Sequence, residues 1–183
     1  MGRLLAISGS LRARSFNTAL AHAAQALVAP GIEIEVATLH GIPLYDGDLE
    51  EGEGIPPAVE ALKDRIRSSA GLILVTPEYN SSIPGVFKNA VDWLSRPGSG
   101  IKELFGDKPC VVIGATPGGF GTIMSQAAWL PVLRALGVRY WSGGRLLVSR
   151  ASSAFDEQGG LADEMTRQLL EDFIRGFHAF SLR

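Results

Sequence analysis

The stretch Gly9-Ser10-Leu11-Arg12-Ala13-Arg14-Ser15-Phe16-Asn17 collects the residue types that hold a phosphate. Ser10 and Ser15 offer hydroxyl donors, Asn17 an amide donor and Arg12 a guanidinium fork. The stretch leaves an apolar run and enters a helical pattern. A helix N-terminus presents unpaired N–H groups and partial positive charge, which suits an anion. Gly9 reads as a tight-turn residue. Hydrogen bonds to a charged group contribute about 1.5–3 kcal/mol each, so three or four would be a large share of the ~8 kcal/mol behind micromolar affinity. Taken singly, these residues have plainer roles: Ser15 as an N-cap, Arg12 and Arg14 as solvated charges. Taken together on a strand–loop–helix, they favour phosphate. The loop is neither G-x-G-x-x-G nor a Gly-Lys-[Ser/Thr] P-loop, which disfavours a Rossmann dinucleotide site and nucleotide hydrolysis.

Two further loops carry unusual residues. Thr76-Pro77-Glu78-Tyr79-Asn80-Ser81-Ser82-Ile83-Pro84-Gly85 mixes a flat aromatic, an amide and exposed backbone groups, which a planar heterocycle with polar edges could use. Thr116-Pro117-Gly118-Gly119-Phe120-Gly121 leaves backbone uncovered, so that a ring could approach closely. Each loop read alone is also an ordinary turn-rich connection.

The elements around these loops follow from hydrophobic periodicity. Arg3 to Ser8 reads as a strand, and Phe16, Ala19, Leu20, Ala23, Ala24 and Leu27 as a helix ended by Pro30-Gly31. Ile32 to Thr38 alternates as a strand with one more polar face. Pro57 suits a first helical residue, with Val59, Leu62, Ile66 and Ala70 on one face. Gly71 to Thr76 and Pro109 to Thr116 are continuous apolar strands. Between them lies a helix opened by Pro84 and closed by Pro97-Gly98. Thr122 to Leu136 reads as a helix that Pro131 should kink or restart. Val138 to Ser149 carries a fifth strand interrupted by Gly143-Gly144, and Leu161 to Phe180 a terminal helix with Leu169, Phe173, Ile174, Phe177 and Phe180 apolar. Glu50 to Gly54 reads as a solvated acidic loop. Apolar strands alternating with helices predict an α/β doubly wound five-stranded parallel sheet covered on both faces, in one domain over residues 1–183. Ligands then belong at the carboxyl ends of the strands, where the three loops fall.

Other chemistry finds no support. Net charge is −2, with no electrostatic reason for a nucleic-acid or acidic-membrane partner. The one cysteine, Cys110, lies in an apolar run, reads as a buried inert thiol and fits a reducing compartment. No run approaches the ~18 apolar residues of a membrane span. Met1 to Ser8 is too short for a signal peptide, and Ala6 stands where myristoylation after Met1-Gly2 wants Ser or Thr. The expected address is the cytoplasm. There is no esterase elbow and no His/Cys metal spacing; His22, His40 and His178 are scattered.

Gly9-Ser10-x-Arg12-x-x-Ser15-x-Asn17 and Pro77-Glu78-Tyr79-Asn80-x-Ser82-x-Pro84-Gly85-x-x-Lys88-Asn89-Ala90-x-Asp92-Trp93-x-Ser95-Arg96-Pro97 together resemble the motifs of the NADPH-dependent FMN reductase family. The resemblance implies a flavodoxin-like fold with strand order 2-1-3-4-5 and non-covalent FMN. It implies Ser10, Arg12, Ser15, Phe16 and Asn17 around the phosphate. Pro77, Glu78, Tyr79 and Asn80 would lie along the ribityl chain and ring, with Thr116 and Gly118 at the ring border. NADPH or NADH would be the donor and a quinone, azo compound, free flavin or oxidised metal ion the acceptor, in a homodimer or homotetramer. The flavin carries such chemistry, so no catalytic side chain is expected. The alternative is a flavodoxin-like electron-transfer or FMN-binding module without NAD(P)H turnover. Ala127-Ala128-Trp129-Leu130-Pro131 departs from the family's more polar helix, which bears on the oligomer and on the acceptor's surroundings. Lys88, Asn89, Asp92 and Trp93 are expected to be structural, with Lys88 and Asp92 as i,i+4 partners.

Overall fold

Three stretches are buried at every position: Leu4–Ser8 (β1), Gly71–Val75 (β3) and Pro109–Ala115 (β4). Only strands covered on both faces tolerate that pattern. In the computed structural model, which describes residues 2–183, they form the centre of a parallel sheet. Met1, and with it the Met1-Gly2 reading, lies outside the described residues. The remaining elements are α1 (Phe16–Ala26), β2 (Ile34–Ala37), α2 (Gly47–Glu53), α3 (Pro57–Arg67), α4 (Gly85–Leu94), α5 (Ile101–Phe105), α6 (Ile123–Leu136), β5 (Arg139–Tyr140), β6 (Leu147–Val148), α7 (Ala151–Ala154) and α8 (Glu164–Ser181).

The sheet order is β2-β1-β3-β4-β5, the doubly wound arrangement expected, with all pairs parallel. Alternation along each strand sorts the core into two layers. Leu4, Ala6, Ile73, Val75, Val111 and Ile113 face Leu20 of α1 and Phe173 and Phe177 of α8. Leu5, Ile7, Leu72, Leu74 and Val112 face Val59 of α3, Phe87 and Trp93 of α4 and Trp129 of α6. Cys110 sits in the second layer with no exposed surface, and burial pushes its thiol up to about 12.

Several expectations are corrected. The fifth strand is two short ones: β5 pairs Pro109 and Cys110, while β6 pairs Gly114 and Ala115. The intervening chain leaves the sheet because Trp141 is drawn onto α8, edge-on to Phe173 at 5.0 Å. Glu50 to Gly54 lies largely in α2 rather than in an open loop. Asp46 caps that helix by accepting from the Asp48 amide, and Asp48 and Glu50 occupy the first turn, where the helix dipole favours acids. α6 runs unbroken through Pro131, which faces solvent, because Trp129 and Leu133 are buried on either side of it. α8 begins at Glu164, since Asp163 caps it and Leu161 pairs instead with Phe155. Its buried face is Leu170, Phe173, Ile174 and Phe177; Leu169 is exposed.

Candidate functional site

β1, β3 and β4 end side by side, and the loops that leave them converge. β2 and β3 lie on opposite sides of β1, so the strand order reverses there, the position at which open α/β sheets hold ligands. An open cleft lies between the loops, lined by Ser10, Arg12, Ser15, Phe16, Asn17, Pro77, Glu78, Tyr79, Ala115, Thr116 and Pro117. The expected site residues are thus brought together except Asn80 and Gly118. Arg14 lines an adjoining groove with His22 and Asp156, which shares Arg12, Ser15 and Phe16 with the cleft.

The first wall is the N-terminus of α1. Ser15 is its N-cap: the hydroxyl accepts from the Asn17 amide at 3.2 Å and the Thr18 amide at 3.3 Å. The cap and anion-site readings are therefore compatible, because capping uses the oxygen and leaves the hydroxyl proton. The amides of Ala13, Arg14, Ser15 and Phe16 have no acceptor among the described residues. Ser10 is buried; its oxygen accepts from the Arg12 amide at 3.3 Å. The Arg12 guanidinium has no carboxylate partner among the described residues. Unspent N–H groups at a helix N-terminus, two hydroxyls and a free guanidinium are the donor set that an FMN phosphate requires.

Two residues of this loop carry roles that spacing did not suggest. Asn17 Nδ2 donates to the Ala115 carbonyl and Asn17 Oδ1 accepts from the Ala115 amide, both at 2.9 Å. One Nδ2 proton remains for a ligand. Gly9 has an ordinary negative φ, so turn geometry does not demand it. A Cβ there would overlap the Phe87 ring, so packing is the reason for glycine.

The second wall, after β3, begins with buried Thr76 and Pro77. Glu78 turns its carboxylate toward α6, where Oε2 accepts from the Met124 and Ser125 amides at 2.9 and 3.0 Å. Tyr79 and Ser82 exchange backbone hydrogen bonds around Asn80 and Ser81, whose φ values of 50° and 59° match a type I′ turn. Asn80 therefore sits at an exposed turn tip beyond the cleft. On the third wall, Thr116 lines the cleft and its amide donates to Val148. Gly118 stands outside, its carbonyl accepting from Arg150, and a side chain there would meet little but open space.

The α4 half of the longer motif is structural, as expected. Lys88 and Asp92 pair at 2.6 Å. Trp93 is wholly buried; its Nε1 and the Asn89 side-chain amide both donate to the Pro43 carbonyl. Arg96 binds Glu50 at 2.7 Å, a bond that holds the Glu50 carboxyl below its ordinary range. These contacts fasten residues 43–50 to α4.

Of the Ala127–Pro131 departure, Trp129 lies inside the protein, while Ala127, Leu130 and Pro131 are exposed. Trp129 is fully buried, edge-on to Phe87 at 4.9 Å, and its Nε1 donates to Thr76 Oγ1 at 3.1 Å. Along the chain, Ala127 to Pro131 differed from a more polar pattern, and that was the one signal pointing to it. Thr76 and Ser125 carried none.

The sheet order, the reversal at β1 and the anion-ready cleft define a flavodoxin-like flavin-binding fold. The sequence model of the NADPH-dependent FMN reductases matches residues 3–153, and the chain belongs to this family. It is 41% identical to an NAD(P)H-dependent FMN reductase of Pseudomonas aeruginosa over 99% of this chain and 96% of the relative. It is 34% identical to a 2-hydroxy-1,4-benzoquinone reductase of a Burkholderia species, over 97% and 95% of the two chains. Among solved structures, FerB, an NAD(P)H:(acceptor) oxidoreductase of Paracoccus denitrificans, superposes with a TM-score of 0.86 at 33% identity, covering 99% of this chain and 97% of that one.

Proposed function

We propose that the chain is an FMN-dependent NAD(P)H oxidoreductase whose single domain holds the flavin in the cleft between the β1, β3 and β4 loops. The observation that carries this reading is the convergence of Ser10, Arg12 and Ser15 with Pro77, Tyr79 and Thr116 in one cleft. When bound, FMN supplies the two-electron redox chemistry, with reduced nicotinamide as hydride donor and a small molecule as acceptor. The protein's part is to bind and orient. The α1 N-terminus, Ser10, Ser15 and Arg12 take the phosphate, and Phe16 and Asn17 close that end. Pro77, Glu78 and Tyr79 would border the ribityl chain and ring, and Thr116 would border the ring from the other side, with Asn80 and Gly118 just beyond the cleft.

Quinones are the acceptor class we favour, because the Burkholderia relative is a benzoquinone reductase over almost its whole length. The lone buried thiol supports a cytoplasmic address, and no helix among the described residues is long and apolar enough to cross a membrane. Exposed Tyr79 at the cleft, together with exposed Phe120 and Met124, supports a homodimer or homotetramer that covers them. The test is an anaerobic titration of the purified protein with NADPH, read by flavin absorbance, followed by a benzoquinone. Bleaching by NADPH and recovery on quinone addition are expected. Protein that cannot be loaded with FMN, or whose flavin NADPH and NADH leave oxidised, would overturn the proposal.

A further inference from the structure

Met124 and Ser125 are the second and third residues of α6, where amides have no partner within a helix. The usual remedy is a side chain on the residue before the helix. Here that residue, Thr122, is in the left-handed region at φ 64° and makes no capping bond. The cap comes from Glu78, 46 residues before Met124, which accepts from both amides through one carboxylate oxygen. A local cap would tie α6 only to its own loop. Glu78 ties it to the loop after β3.

A second link runs beside the first. Thr76 Oγ1 donates its single proton to the Pro77 carbonyl at 2.9 Å, so Ser125, 2.9 Å from the same oxygen, must act as donor. Trp129 Nε1 donates to that oxygen as well. Thr76, Ser125 and Trp129 have no exposed surface, so water does not compete for these bonds. The Pro77–Glu78 segment is therefore held to α6 from inside the core and from the cleft side. α6 also follows the β4 loop, so the bonds to α6 fix one loop against the other.

We propose that Glu78 is a positioning residue for FMN, one that clamps the β3 loop to α6 and sets the gap between the two loops bordering the flavin ring. This rests on the cleft being the FMN site. The carboxylate works through the backbone of Met124 and Ser125 and through the placement of Pro77 and Tyr79.

The test uses full-length Glu78→Ala and Glu78→Gln. Amide hydrogen exchange at Met124 and Ser125 is measured in FMN-free protein, FMN affinity by quenching of its fluorescence, and thermal midpoint alongside. Leu170→Ala, in the opposite core layer, serves as a control for general destabilisation. In Glu78→Ala, loss of protection at both amides should accompany an FMN dissociation constant raised roughly ten- to hundredfold, the equivalent of one charge-assisted bond. Glu78→Gln keeps a neutral acceptor, so both quantities should shift by only a few-fold and in step; it carries the test if the alanine variant does not fold. Leu170→Ala should lower the thermal midpoint without moving FMN affinity. Lost protection with unchanged affinity would reduce Glu78 to a plain helix cap and overturn the proposal, as would unchanged amide protection in Glu78→Ala. A wild-type chain that fails to quench FMN overturns the functional reading instead, while amide exchange still reports on the clamp.

Discussion

Asn17 and Ala115 exchange two hydrogen bonds, each 2.9 Å long, that join the first turn of α1 to the last residue of β4 across 98 positions of sequence. Both residues are buried, so neither backbone group of Ala115 has water as an alternative. Asn17→Ala should therefore cost about 2–6 kcal/mol, the sum of two unsatisfied buried groups, read as a shift in urea midpoint. Asn17→Asp should do little better, because its second oxygen would face the Ala115 carbonyl. Retained stability in the alanine variant would mean that another group replaces both bonds.

Arg12 has no competing carboxylate, so its guanidinium is available to the phosphate. Arg12→Ala should weaken FMN binding roughly ten- to hundredfold, one charge-assisted bond's worth. The loss should shrink as salt is raised, since an exposed charge contributes less when screened. An FMN dissociation constant equal to that of the wild type would remove Arg12 from the site.

Gly9 and Phe87 should be coupled through volume. Gly9→Ala forces its methyl group into the Phe87 ring and should cost about 1–3 kcal/mol by overpacking. Phe87→Leu opens space at that point, so the double variant should be less destabilised than the two single costs added together. Additive costs in a double-mutant cycle would show that the loop, and not the ring, gives way.

Cys110 predicts an alkaline limb to stability. Its folded thiol titrates at about 12, well above the ~8.5 of an unfolded thiol. Below the unfolded value both states are protonated and the contribution is complete. As pH rises further the unfolded chain binds fewer protons, so stability falls by up to about 1.4 kcal/mol per pH unit until the folded thiol ionises. Tyr140, raised by burial, adds loss of the same sign at higher pH. Urea midpoints between pH 8 and 11 should decline less steeply in Cys110→Ala than in the wild type. The native thiol should resist alkylation until the protein is unfolded.

What could be read along the chain had causes within a few residues or in a regular repeat. Every residue of β1, β3 and β4 is buried, and an unbroken apolar run reports that without reference to any partner. Ser15 is where a helix cap should be, and Lys88 meets Asp92 one helical turn on. The strand order followed from handedness and resemblance. Helix α2 was hidden because Asp46, Asp48 and Glu50 look like solvated charge, although the same acids suit a capped first turn.

By itself the sequence determined the alternation of strands and helices, the loops at the strand ends and the donor groups in the first of them, since periodicity, capping and composition are local. Only the tertiary structure decided what those groups face. Gly9 is glycine because Phe87 lies over it, Asn17 spends most of its amide on Ala115, and Glu78 reaches past its own loop to cap α6. Trp129, part of a segment whose other residues reach the surface, is buried as a donor to Thr76. Each of these partners is distant in sequence, and it is chain folding, through shape and hydrogen-bond satisfaction in a water-poor core, that selects it.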